Sequence, residues 1–283
     1  MKRTAGFTLV ELLVVVSIVV VLIAMLLPAM EGAIEQGKRA RCAANLHAIS
    51  IGAATYGLEN RAVLFICRGR SVQIAFDALG GVSPERPRPE DRLVDWPAAL
   101  ASVGLAGSAK GQAGTAQDYS PSKVWDCPSR GFESYWDTQY AGGGGARQMI
   151  VSYAYYGGIE LWENPNRMAG MPSASPLRTT DPGRWTLGSD YTIKYLGVWG
   201  GAEAANARWA FGTPAHRRER NLPAGQNQMY LDGSVEWVDA KELVYIHSWF
   251  PAVNIPMYFR QTDLNGWTPP DSQYLRADPD FGS

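Results

Sequence analysis

Residues 1–30, MKRTAGFTLVELLVVVSIVVVLIAMLLPAM, decide how the rest of the chain is read. Lys2 and Arg3 open a short polar leader that ends at Gly6. An apolar run then extends from Phe7 to Met30, broken only by Thr8, Glu11 and Ser17 before Pro28. Coiled as a helix, this run is about 36 Å long, against about 30 Å for a bilayer hydrocarbon core. The stretch predicts a membrane-spanning or membrane-docked helix.

Glu11 is the odd residue in it. A carboxylate is costly in a bilayer interior and less so near an end, so an intramembrane acid usually has a partner. Two plainer readings compete. Glu11 could sit at headgroup level and reach water, or the stretch could be a secretory signal with Lys2 and Arg3 as its basic start. The signal reading fits poorly. The apolar run is too long, it carries an acid near its start, and Pro28-Ala29-Met30-Glu31 makes a poor cleavage site. No cysteine follows the run closely, which excludes a lipoprotein signal.

The segment Gly6-Phe7-Thr8-Leu9-Val10-Glu11 resembles the cleavage and methylation signal of type IV prepilins and type II secretion pseudopilins. The resemblance implies that a prepilin peptidase cuts after Gly6 and that Phe7 becomes an N-methylated terminus. It also implies that Glu11 neutralises the terminal ammonium of a neighbouring subunit during assembly. Opposite charges buried in a low dielectric attract strongly and relieve each other's desolvation. Pro28 resembles the helix-bending proline of such proteins. The implied fold is α+β and pilin-like: a long transmembrane-plus-amphipathic helix packed on an antiparallel β-sheet domain with large loops. The implied placement is a single pass through the inner membrane, with the N-terminus cytoplasmic and the C-terminal domain periplasmic or at the cell surface. Charge bias alone does not orient the helix, since Lys2 and Arg3 flank one end while Lys38, Arg39 and Arg41 flank the other.

Working outward, the chain divides into a leader (1–6), an assembly helix (7–30), an amphipathic continuation (31–58) and a globular domain (59–283). In the continuation, Ile34, Cys42, Leu46, Ile49, Ala53 and Tyr56 recur mostly every three or four residues, which predicts one apolar stripe. Lys38, Arg39 and Arg41 fall mostly off it and read as a solvated or headgroup-facing patch. His47 has no second ligand at helical spacing and reads as a surface or half-buried histidine.

With 283 residues, a net charge of -1 and 19% charged residues, the chain can build one substantial domain but has no bulk charge to draw nucleic acid. Its 30 Gly, 10 Trp and 13 Tyr suit a loop-rich β domain. Strands are predicted at Ala62–Cys67, Val151–Tyr155 and Thr186–Ile193, with 72–79 ambiguous and a helix start near Asp95. The proline-spaced segment 83–92 reads as an extended loop. The Gly142–Gly145 run lacks the Lys-Ser/Thr of a phosphate loop and reads as a hairpin tip. The tail from Trp249 is expected to wrap the domain or fray.

Three cysteines, Cys42, Cys67 and Cys127, have neither CxxC spacing nor a zinc-knuckle pattern. A disulfide of Cys127 with Cys42 or with Cys67 is plausible on the export side, and an odd count leaves one thiol over. Near the C-terminus, Asp232-Gly233 between two β-rich runs predicts a type I′ hairpin. His216 followed by Asp232-Gly233 resembles the C-terminal His…Asp-Gly motif of a bacterial group of pseudopilin-like proteins, with a longer intervening loop here. The patches Cys42-Ala43-Ala44-Asn45-Leu46 and Cys127-Pro128-Ser129 resemble that group as well. The plain reading of the motif is structural, with Asp232 in the φ > 0 turn position and His216 bonded across the hairpin. The sharper reading is a divalent-ion site including Asp232, His216 and Asp190, or alternatively Asp239, by analogy with calcium-binding pseudopilins, although no dense acidic loop is present. Otherwise no cofactor is expected.

No GxSxG, HExxH or paired-carboxylate motif points to an enzyme. The resemblance implies a pseudopilin-like filament subunit of a type II secretion or type IV pilus-like system. Its expected partners are copies of itself, other pseudopilins, prepilin peptidase, an inner-membrane assembly platform and membrane lipid. The alternative is a membrane-anchored extracytoplasmic binding protein, for polysaccharide or another ligand, that uses the prepilin export route.

Overall fold

The computed structural model describes residues 8–65, 74–76, 100–106, 121–131, 133–137, 147–159, 162, 164, 173–200, 212–248 and 255–281. Gly6, Phe7, Cys67, Asp95, the 83–92 loop and the Gly142–Gly145 run lie outside them.

One helix, α1 (Leu9–Glu59), dominates the chain; its 51 residues span about 76 Å. Thr8 starts it with a capping box: its hydroxyl accepts from Glu11 N–H, and the Glu11 carboxylate accepts from Thr8 N–H. Asn60 ends it, with its N–H donating to Gly57 O at 3.2 Å and Nδ2 donating to Tyr56 O at 2.8 Å. Arg61 and Ala62 then take positive φ and turn the chain back.

The two halves of α1 meet different surroundings. Its apolar N-terminal part is unburied among the described residues, with the large apolar side chains from Leu9 to Leu27 exposed. From Cys42 onward, Cys42, Leu46, Ile49, Ala53 and Tyr56 are buried, forming the helical stripe their spacing predicts. Ile34 departs from expectation. It is 51% exposed, although the adjacent Glu35 already meets His216 of β6. Arg39 departs as well: it is not simply solvated but pairs with Glu35 and stacks over Trp237, 3.9 Å from the ring centroid.

The helix lies across an antiparallel sheet of β4 (Tyr153–Tyr155), β5 (Thr186–Asp190), β6 (His216–Arg217), β7 (Pro223–Tyr230) and β8 (Val235–Asp239). β7 is central. Met229 pairs with both Gly188 of β5 and Val235 of β8, and Gly225 pairs with both His216 of β6 and Asp239 of β8. A strand has two edges, so β5 and β6 share the edge opposite β8, end to end. Gly225 has φ 154°, and a Cβ there would collide with the Val238 carbonyl and the Trp237 ring, so glycine is needed for this double pairing. A small sheet of β1 (Ile74–Phe76), β2 (Tyr135–Asp137) and β3 (Arg147–Ile150) lies outside the main one.

No strand is predicted from the sequence at β2, β6, β9 (Val244–Ser248) or β10 (Pro256–Phe259), and the strand expected at Ala62–Cys67 is, over its described residues 62–65, only a single bridge from Val63 to Arg178. β9 and β10 pair with each other and extend through Ile193 toward the end of β5. The tail wraps: Leu275 is buried, its N–H donates to Leu243 O, and Asp278 meets Lys194 at 2.8 Å. The Asp-Gly hairpin forms between β7 and β8, but not as a type I′ turn. Gly233 alone takes positive φ, its N–H donates to Tyr230 O at 3.0 Å, and Asp232 instead accepts from Ser234 N–H at 2.9 Å. A longer turn with glycine as the left-handed residue closes the register.

Candidate functional sites on the helix and where it meets the sheet

The N-terminal site is visible from Thr8 onward. Glu11 Oε2 accepts from Thr8 N at 2.8 Å and from Thr8 Oγ1 at 2.7 Å, so the carboxylate is held at the helix start. There it also meets the positive end of the helix dipole.

The second site lies at the other end of the exposed span, where α1 first reaches the sheet. Cys42 comes from the buried stripe of α1. Cys127 follows a 3-10 turn, Lys123–Trp125, anchored by the buried Trp125 indole, which donates to Leu105 O at 2.8 Å. Asp190 ends β5 and His216 begins β6. The shared edge of β7 places those two strand ends side by side. One donor atom from each of the four residues lies within 4.8 Å of the others.

All four side chains are buried, none more than 2% exposed. Both cysteines are free, with Sγ atoms 3.0 Å apart. His216 Nδ1 lies 2.8 Å from Glu35 Oε1 and 3.2 Å from Ser129 Oγ. Its Nε2 is 3.1 Å from Asp190 Oδ2 without hydrogen-bond alignment and has no hydrogen-bond partner. Asp190 Oδ2 accepts from Asn227 N at 2.6 Å and Nδ2 at 2.9 Å, whereas Oδ1 has no partner. Trp237 closes the outside, its ring edge-on to the imidazole at 5.4 Å. Asn45 bridges Asp126 O and the Tyr153 hydroxyl beside Cys42.

The electrostatics are those of a crowded anionic pocket. Burial opposes the imidazolium, but Asp190 and Glu35 outweigh it and push His216 up to about 10. The contact between the sulfurs pushes the Cys42 thiol up and pulls the Cys127 thiol down. Fully buried Arg130, drawn down to about 10 by that burial, supplies a compensating positive charge near Cys127 and donates to Ser152 O at 3.1 Å.

Of the residues singled out for an ion, the structure brings His216 and Asp190 together and leaves Asp232 at the hairpin tip, where its Oδ1 also accepts from Ser234 Oγ at 2.6 Å. Asp239 is likewise elsewhere, its Oδ1 accepting from Lys241 N–H. The two cysteines that complete the group carry no spacing signal. Cys42 is adjacent to Cys127 as one predicted pairing requires, but the sulfurs are not bonded. His47 is exposed, with Nδ1 2.8 Å from Gly233 O, latching the helix to the hairpin.

A family profile describing the prokaryotic N-terminal methylation motif matches residues 1–27. The chain carries that motif. The match supports a prepilin-type, pseudopilin-like protein processed at its N-terminus, and the apolar helix behind the motif suits a membrane anchor. No curated protein and no solved structure matches the chain.

Proposed function

We propose that this protein is a pilin-like filament subunit of a type II secretion or type IV pilus-like system. Prepilin peptidase removes residues 1–6 and methylates Phe7. The helix then packs against neighbouring helices, with Glu11 taking the Phe7 ammonium of an adjacent copy. The observation that carries this reading is the form of α1 behind a methylation motif. One continuous helix is apolar and unburied in its first half and packed into a domain in its second. A bare apolar rod of this kind finds cover in lipid and then against its own copies. Glu11 lies four residues from Phe7, about 6 Å along the axis, so an axially staggered neighbour brings the two charges together.

In this reading the domain is periplasmic or at the cell surface and acts as a structural element rather than a catalyst. Among the described residues, Cys42, Cys127, Asp190 and His216 are fully enclosed, which suits holding a shape better than turning over a substrate.

The test is the N-terminal mass of the full chain co-expressed with a prepilin peptidase. A mature chain beginning at N-methyl-Phe7 is expected. An uncut Met1 in the presence of active peptidase would leave a plain membrane anchor and remove the basis for the role given to Glu11.

A further inference from the structure

We propose that Cys42, Cys127, Asp190 and His216 form a structural zinc site that fastens the membrane-proximal helix to the sheet. The donor set is two sulfurs, one imidazole nitrogen and one carboxylate oxygen, all mutually within 4.8 Å. Zinc accepts each of these donor types and prefers four of them in a tetrahedron. Calcium fits badly, since it takes six to eight oxygen ligands and this pocket offers a single carboxylate among sulfurs. An iron–sulfur cluster calls mainly for cysteine, and only two thiols are here.

The decisive observation is a pair of buried atoms without a hydrogen bond, one of them, His216 Nε2, held only by an unaligned ion-pair contact to Asp190 Oδ2 at 3.1 Å. His216 Nε2 and Asp190 Oδ1 are fully buried and have no hydrogen-bond partner. Buried polar atoms are rarely left without a hydrogen bond, and one cation at the centre would satisfy both. A Cys42–Cys127 disulfide would join the sulfurs and leave both orphans in place.

The surroundings are arranged as a ligand set needs. Glu35 accepts from His216 Nδ1, which fixes the tautomer and leaves the Nε2 lone pair for the ion. Asn227 holds Asp190 through Oδ2, leaving Oδ1 free to coordinate. Zinc–sulfur bonds of about 2.3 Å at a tetrahedral angle set two sulfurs about 3.8 Å apart. The 3.0 Å seen here widens to that by side-chain rotation of under about 1 Å. On binding, the thiols and the imidazolium give up their protons to solvent, so the sulfurs enter as thiolates and His216 enters as the neutral imidazole with its Nε2 lone pair on the ion. Two thiolates and one carboxylate around a dication leave one net negative charge, which Arg130 offsets. With four protein ligands and no exposed position, the site is closed and structural.

The ligands come from the helix, a loop and two strand ends, so the ion ties four separate parts of the chain at one point. This proposal does not depend on processing or filament assembly.

The full chain, purified in detergent without added chelator, is measured for metal by inductively coupled plasma mass spectrometry and for thiols by intact mass with and without alkylation. One zinc per chain is expected, with both cysteines resisting alkylation until the chain is denatured with chelator. Cobalt replacement should give thiolate-to-metal charge-transfer absorption. Asp190→Asn and Cys42→Ser should drop zinc to background, while Asp232→Asn keeps a full equivalent. Since a ligand variant that fails to fold also loses zinc, the wild-type chain decides. A chain lighter by two hydrogens with Cys42 bonded to Cys127 overturns the proposal. So does a folded, fully reduced chain that takes up neither zinc nor cobalt on titration.

Discussion

Glu35 Oε1 sits 2.8 Å from His216 Nδ1, so a residue on the long helix orients a strand residue 181 positions later in the chain. Glu35 is itself held by Arg39, which stacks on Trp237, and Trp237 covers His216. If His216 is a ligand, Glu35→Ala should weaken zinc binding about 10–100-fold, the usual effect of losing a carboxylate behind a ligating histidine. Glu35→Gln should lose less, because its amide oxygen still accepts from Nδ1–H. Competition against a chromophoric chelator measures both. Equal affinity in all three proteins would mean that Glu35 plays no part in setting the imidazole.

Glu11 gives a separate prediction. Glu11→Ala should still insert into the membrane and still be cut after Gly6, yet fail to enter sedimentable filaments when expressed with its assembly machinery. Crosslinking between neighbouring helices should disappear in parallel. Filaments formed normally by the variant would show that the carboxylate serves only the Thr8 capping box seen here.

The buried stripe of α1 should carry much of the domain's stability. Ile49→Ala removes a fully buried side chain from the helix–sheet interface and should cost about 2–5 kcal/mol. Leu13→Ala, on the exposed half of the same helix, should leave the domain's thermal unfolding unchanged in detergent. A comparable loss from both would show that the two halves unfold as one unit.

Lys194 ties down the tail through Asp278 and Asp280. Burial lowers its affinity for a proton, but the two carboxylates outweigh burial and raise it above the ordinary lysine value. A raised folded-state value means that the ion pair's contribution is complete below the unfolded value, about 10.4, and is lost as pH climbs past the folded one. Lys194→Met should cost about 1–3 kcal/mol at neutral pH, leaving nearly buried Asp278 without its cation. The melting-temperature gap between wild type and variant should be constant across neutral pH and close in strong alkali, where Lys194 loses its proton. A gap that persists unchanged in strong alkali would show that the charge on Lys194 contributes nothing.

The periodic parts of this fold were legible. Cys42, Leu46, Ile49, Ala53 and Tyr56 announce a packed helix face, and β4, β5 and the β7–β8 hairpin fall where alternation and Asp-Gly place them. The buried stripe begins at Cys42, about two turns later than the pattern implies, because Ile34 continues the period but stays half exposed. β9 and β10 escaped because a buried strand such as Val244–Ser248 has no alternation to detect, and the tail composition suggested loop.

The polar cluster was half legible. His216 and Asp190 could be named as candidates, but Asp232 drew attention that its turn geometry does not support. The reason is topological. Asp190 and His216 meet because two strands end against one edge of β7, and Cys42 joins them because the helix crosses that edge. Local spacing encodes none of this. A cysteine on an apolar helical stripe reads as a small core residue until the sheet beneath it is known.

Gly32 and Gly37 sit in the helix between the bare span and the clamped one, and neither has any side chain packed over it. Each glycine weakens a helix by about 1 kcal/mol relative to alanine, so these two turns form the most compliant stretch of an otherwise stiff shaft. In the proposed filament the rod below Gly32 would be held by lipid or neighbouring rods, and above Gly32 it is pinned to the sheet through Glu35 and, past Gly37, through Cys42. A pull on the domain is expected to stretch the helix first around Gly32, just below the Glu35 contact, so that the shaft yields before any load reaches the hydrogen bonds of β7.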